Sequence, residues 1–121
     1  MSETFSATIF HNPNCGTSRN VLQAIRDKGI EPTVVEYVTA GWDRDQLQGL
    51  FARMGVSPRD ILRVRGTPAE ELGLTGPDVT DDRILDAMVA HPILVERPIV
   101  QTPKGARLCR PAELVADLLQ P

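Results

Sequence analysis

The chain has 121 residues, of which 41% are hydrophobic and 24% charged, with a formal net charge of −3. That length supports one domain with its own core and is short for two, and the slight acidity excludes a general attraction to nucleic acid or anionic membrane, so an anion site must come from a local cluster of positive charge. Met1–Ala7 lacks the basic start and apolar stretch of a signal peptide, and no apolar run approaches the ~20 residues that span a bilayer, so a cytoplasmic protein is expected.

In residues 5–10, Phe5, Ala7 and Ile9 alternate with Ser6 and Thr8, which predicts a strand. A polar turn follows, His11-Asn12-Pro13-Asn14. Residues 16–28 read as a helix with Val21, Leu22 and Ile25 as its apolar stripe and Gly29 just past its end. The β-branched run Thr33–Val38 reads as a second strand. This β-α-β opening predicts a parallel pair with a right-handed crossover.

Trp42, after Gly41, reads as a local hydrophobic plug. Leu47, Leu50, Phe51 and Met54 follow the spacing of one helix face. Ser57-Pro58-Arg59-Asp60 and Thr67-Pro68-Ala69-Glu70 both read as helix starts, with Ser or Thr as N-cap, Pro at N1, and Glu70 completing a capping box. Ile84, Leu85, Met88 and Val89 mark a further helix that stops near His91-Pro92. His91 is expected to close that helix at its last carbonyls.

Pro98–Gln101 and Ala106–Cys109 flank Thr102-Pro103-Lys104-Gly105, a predicted hairpin. Pro111 then opens a last helix carrying Leu114, Val115, Leu118 and Leu119. The order is β-α-β, a helical insert, then β-β-α. It predicts an α/β fold with a small mixed sheet, as a single domain over 1–121 with a helical insertion at about 43–92.

Cys15 stands where the turn meets the first helix. A thiol there faces unpaired backbone N–H groups and the positive end of the helix dipole, and both favour the reactive thiolate. Three residues on stands Ser18, so the motif is Cys-x-x-Ser, with no resolving thiol next door, and redox turnover must borrow an external thiol. Arg19 comes too early for a phosphate loop of the Cys-x5-Arg type. Cys109, beside Leu108 in the hairpin, reads as a packed core thiol. A protonated His11 would lower the Cys15 pKa, while a neutral one would brace the turn; the sequence leaves both open. The two cysteines and two histidines are too dispersed for a zinc site, so no metal is expected, and no dinucleotide fingerprint is present.

The segment His11-Asn12-Pro13-Asn14-Cys15-Gly16-Thr17-Ser18-Arg19-Asn20 resembles the active-site segment of the glutaredoxin-dependent arsenate reductases. His91-Pro92-Ile93-Leu94-Val95-Glu96-Arg97-Pro98-Ile99-Val100 and Arg107-Leu108-Cys109-Arg110-Pro111 resemble that family's later segments. The resemblance implies a thioredoxin-like fold with a helical insertion. It implies Cys15 as the nucleophile toward arsenate, His11 as the histidine that helps keep it ionised, and Arg63, Arg97 and Arg110 as the oxyanion-binding arginines. It also implies a cis Pro98 facing the cysteine. Gly16, Thr17, Ser18 and Arg19 would support the site, and Arg65 competes with Arg63 for the third arginine.

Glutathione and glutaredoxin are the implied thiol donors, with no bound cofactor. Two rivals stand beside this expectation. One is another glutathione-linked thiol oxidoreductase on the same fold. The other is a regulator that binds RNA polymerase, against which Cys-x-x-Ser argues, because the regulators it resembles use a Cys-x-x-Cys switch.

Overall fold

The computed structural model describes residues 5–119. The first four residues, part of the segment used to argue against a signal peptide, lie outside the described residues. The chain divides into two compact units: one runs to Glu36 and resumes at Arg97, and the other is Tyr37–Glu96.

The first unit is a four-stranded mixed sheet with helices α1 and a terminal 3-10 helix. Its elements are β1 (Thr8–His11), α1 (Gly16–Asp27), β2 (Thr33–Glu36), β3 (Ile99–Thr102), β4 (Gly105–Leu108) and the 3-10 helix Ala112–Leu118. Strand order is β2-β1-β3-β4. β1 runs parallel to β2, with Ile9 opposite Val34, and antiparallel to β3, with Ile9 opposite Val100. β3 and β4 pair antiparallel from Ile99–Leu108 to Thr102–Gly105, leaving Pro103 and Lys104 as the hairpin turn.

β1 begins at Thr8 and extends to His11, not over 5–10 as the alternation suggests. The ladder decides this, because its first paired residue is Thr8, opposite both Thr33 and Gln101. As a central strand β1 is covered on both faces, and consecutive Ile9, Phe10 and His11 are all buried. α1 buries Val21 and Ile25 against a core of Ile9, Val100, Cys109, Val115 and Leu118. It stops where Gly29 adopts a left-handed φ of 80°, which glycine takes without strain.

The last helix is a 3-10 helix, not the α-helix expected, with i→i−3 bonds such as Leu114 N–H to Pro111 O. Its buried Val115 and Leu118 are three apart, which suits a three-residue period. Side chains from the hairpin also claim its carbonyls: Thr102 Oγ1 donates to Leu118 O at 2.9 Å and Arg107 Nη1 to Leu114 O at 3.2 Å.

The second unit is helical: α2 (Tyr37–Ala40), α3 (Arg44–Met54), α4 (Asp81–Ala90), and the short 3-10 turns Pro58–Ile61 and Pro92–Leu94. The predicted strand through Val38 ends at Glu36, because at Tyr37 the chain turns helical. Tertiary contact overrides β propensity there. Tyr37 is fully buried, its ring lies 5.3 Å from that of Trp42, and its hydroxyl donates to Val95 O at 2.7 Å. Trp42 itself is buried, as a plug should be.

α3 starts with a capping box between Asp43 and Gln46 and buries Leu47, Leu50 and Phe51. α4 is capped by Thr80, whose hydroxyl accepts from Arg83 N–H, and buries Ile84, Leu85 and Met88, while Val89 faces outward. His91 closes α4 through its backbone N–H to Ala87 O, and not through its imidazole.

Both proline-led helix starts abort. Ser57 and Asp60 form their capping box, but the element is one 3-10 turn, because Leu62 goes extended to bridge Val95. At Thr67-Pro68 one turn forms, with Leu72 N–H bonded to Pro68 O, and then Gly73 at φ 72° ends it. Local capping signals start a turn, but an apolar stripe packed on a core is needed to prolong it.

The Tyr37 hydroxyl is the polar tip of a fully buried aromatic. Removing it leaves the Val95 carbonyl without that donor at a cost of about 1–3 kcal/mol. Tyr37→Phe is therefore expected to lower the urea midpoint without changing the denaturant slope.

Candidate active site

β1 delivers the chain to His11 and α1 takes it away from Gly16, so the turn between them sits where a sheet end meets a helix start. The turn is held by its own polar groups. Asn12 O accepts from Cys15 N–H at 3.0 Å, and Asn12 Oδ1 accepts from Asn14 N–H at 2.9 Å. On the outer side Arg19 Nη1 donates to Pro13 O at 2.8 Å.

Ser18 is fully buried beneath the turn. Its Oγ accepts from Asn12 N–H at 3.1 Å and lies 2.6 Å from His11 Nδ1.

Cys15 is the N-cap of α1, in extended backbone, and is half-buried. Arg110 Nη1 lies 3.5 Å from its Sγ, and the same nitrogen donates to Arg97 O at 3.1 Å. Nε and Nη1 of Arg97 are buried with no hydrogen-bond partner among the described residues. Unpartnered buried guanidinium nitrogens are costly, and their charge suits an anion. The Arg97–Pro98 and Arg110–Pro111 peptide bonds are both cis. The second of these had no signal in the sequence.

The electrostatics follow from this arrangement. Burial alone pushes the Cys15 thiol up; the Ser18 backbone N–H, Arg97 and Arg110 pull it down by more, and the net pKa lies below the ordinary thiol value. Gly16, Thr17 and Ser18 occupy N1 to N3 of α1, so their amides are those a helix leaves unpaired. His11 is lowered chiefly by burial, with Glu36 opposing and Arg19 and Arg26 adding to the fall. Of the two states the sequence left open for His11, burial disfavours the charged one; the ring is tied to Ser18, and the guanidiniums that favour the Cys15 thiolate are those of Arg97 and Arg110. Cys109 is sealed in the core and burial pushes its thiol up to about 12.

Arg63 lies in the helical unit. Its Nη1 is 2.9 Å from Glu96 Oε1 and its Nε donates to Arg65 O at 3.1 Å. Both side chains of that pair are largely covered. Arg65 is exposed. Among the described residues no group of three His, Cys, Asp or Glu side chains could hold a metal ion, and no helix is long and apolar enough to cross a membrane.

The ArsC family model matches residues 10–118. The arsenate reductase ArsI2 of Synechocystis is 61% identical over 111 residues, which covers 92% of this chain and 79% of that protein. An arsenate reductase of Escherichia coli is 55% identical over 112 residues, 93% of this chain and 79% of that protein. Among solved structures, the arsenate reductase from Vibrio cholerae superposes with a TM-score of 0.91 at 35% identity, covering 97% of this chain and all of the other.

The contrast between the two cysteines is open to direct measurement. In the native protein one thiol should react with a thiol reagent at pH 8, and it should map to Cys15; the second should appear only on denaturation. The midpoint of Cys15 alkylation against pH should lie below that of a free thiol and should move upward in both Arg97→Ala and Arg110→Ala, since each removes a group that favours the thiolate.

Proposed function

The chain belongs to the ArsC family, and from that premise we propose that it reduces arsenate to arsenite with Cys15 as nucleophile. One observation carries the reading: the guanidinium of Arg110 lies on the Cys15 sulfur and is bonded to the backbone of Arg97, whose Nε and Nη1 are buried without hydrogen-bond partners among the described residues.

Arsenate near neutral pH is a singly or doubly charged tetrahedral oxyanion. A thiolate approaching it meets like-charge repulsion. Arginine offsets this well, because its planar fork offers paired hydrogen bonds and it stays charged at every relevant pH. The amides of Gly16 and Thr17 at the start of α1 add donors. The thiolate attacks arsenic, an arsenate oxygen leaves as water after taking up protons, and a Cys15–arsenic bond results.

Reduction from arsenic +5 to +3 takes two electrons, and Ser18 cannot supply a second sulfur. An external thiol, glutathione, provides it. The two sulfurs end oxidised as a mixed disulfide on Cys15, arsenite leaves, and glutaredoxin returns Cys15 to the thiol. Glutathione is thus a co-substrate, no bound cofactor takes part, and reaction in the cytoplasm suits a thiol-rich reductant pool. In this scheme His11 acts through Ser18 on the turn, and Arg19 and Pro98 support the backbone around the sulfur. The resemblance alone assigns Arg63 to the oxyanion as well, and Glu96 competes for the same guanidinium.

Arsenite formation with glutathione and glutaredoxin is the deciding assay. Cys15→Ser should lower it roughly 1000-fold or more. Arg97→Ala and Arg110→Ala should each lower kcat/KM about 100- to 1000-fold, the scale for removing one donor to a developing oxyanion. Arg63→Ala should cost less, because its charge is shared with Glu96. Retained turnover in Cys15→Ser would end this reading, and recovery of RNA polymerase in a pull-down with no arsenate turnover would favour the regulator. Disulfide exchange with glutathione but no arsenate turnover in the wild type would favour another glutathione-linked oxidoreductase.

A further inference from the structure

We propose that Asn12 is a positioning residue that aims the Cys15 sulfur at the two arginines. The inference rests on Cys15 being the nucleophile.

Asn12 is polar yet buried, with 6% of its surface exposed. Three of its hydrogen-bonding groups each hold a different part of the turn. Its side-chain Oδ1 takes the Asn14 N–H, its carbonyl takes the Cys15 N–H, and its own N–H goes to the Ser18 hydroxyl. The first two bonds fix where the chain enters the N-cap position. The third ties that entry to the N3 residue, whose backbone N–H favours the Cys15 thiolate. Sulfur direction is thereby set by one residue that touches neither the sulfur nor an arginine side chain in any of these bonds.

The residue type is also informative. Aspartate makes the same side-chain-to-backbone turn as asparagine. An aspartate here would place a negative charge in the turn that carries a thiolate and awaits an oxyanion. Asparagine supplies the acceptor with no charge. That choice is expected where the turn serves an anion site and carries no weight where it serves stability alone.

Three variants test the proposal: Asn12→Ala, Asn12→Asp and Asn12→Ser. The readouts are the pH midpoint of Cys15 alkylation, kcat and KM for arsenate, and thermal melting by circular dichroism. Asn12→Ala should lower kcat about 100-fold, the scale of a misplaced reacting group, with a smaller change in KM, and should move the alkylation midpoint upward. Asn12→Asp keeps the turn, so it should melt near the wild type and yet show a raised midpoint and low kcat. Asn12→Ser can form a weaker version of the same local bond and should recover part of the lost kcat.

A folded Asn12→Ala or Asn12→Asp with an unmoved midpoint and kcat within about twofold would overturn the proposal. So would losses that track melting temperature alone across the series. Should Asn12→Ala not fold, the Asp and Ser variants decide. The alkylation arm needs no arsenate, so its outcome is separate from whether arsenate is the substrate.

Discussion

The protein turns on a contest at one sulfur between burial and positive charge. Taking a thiol partly out of water favours its neutral form, and at Cys15 this is the largest single influence. Three favourable groups, one amide and two guanidiniums, outweigh it. Cys109 shows the outcome when they are missing. It is more deeply buried, only the charge of Arg107 favours its thiolate, and its thiol is pushed up to about 12. Two cysteines in one small unit are thus driven in opposite directions by their surroundings, and of the two only Cys15 is moved toward its thiolate.

The sheet makes this possible by collecting what the sequence scatters. β1 ends at His11, just before the turn that carries Cys15, while β3 begins and β4 ends next to the two prolines that follow Arg97 and Arg110. Because β3 pairs with both β1 and β4, residues almost a hundred positions apart arrive at one end of the sheet. Arg110 then makes two contacts with one nitrogen, to the sulfur of Cys15 and to the carbonyl of Arg97. The second contact anchors a long flexible side chain beside the sulfur.

Much of this could be read from residues alone, and the parts that could not share a cause. The thioredoxin-like order of elements, the helix after Cys15 and the hairpin at 102–105 are local patterns, and local patterns survive folding. The early end of β2 was hidden because Tyr37 turns on a hydrogen bond to Val95, fifty-eight positions away. The aborted helices at Pro58 and Pro68 carried good caps, and nothing in a cap says how long the helix runs. The state of His11 was left open by the sequence, since burial and its neighbours decide it, and burial is a property of the fold. Asn12 looked like an ordinary turn residue because two of its three bonds are to near neighbours and the third needs Ser18 folded back beneath it.

Ser18 is the point where chemistry and packing meet. Read as a missing cysteine, it means only that no internal disulfide can form. In the fold it is fully buried, and its hydroxyl serves two partners at once, accepting from Asn12 and bonded to His11 at 2.6 Å. A thiol donates and accepts weakly and is larger than a hydroxyl, so a cysteine there would loosen both bonds and crowd the space beneath the turn. The hydroxyl therefore helps to hold the turn that carries Cys15, and it leaves no second sulfur three residues on. The packing beneath the turn and the lack of a neighbouring thiol are two consequences of one oxygen atom.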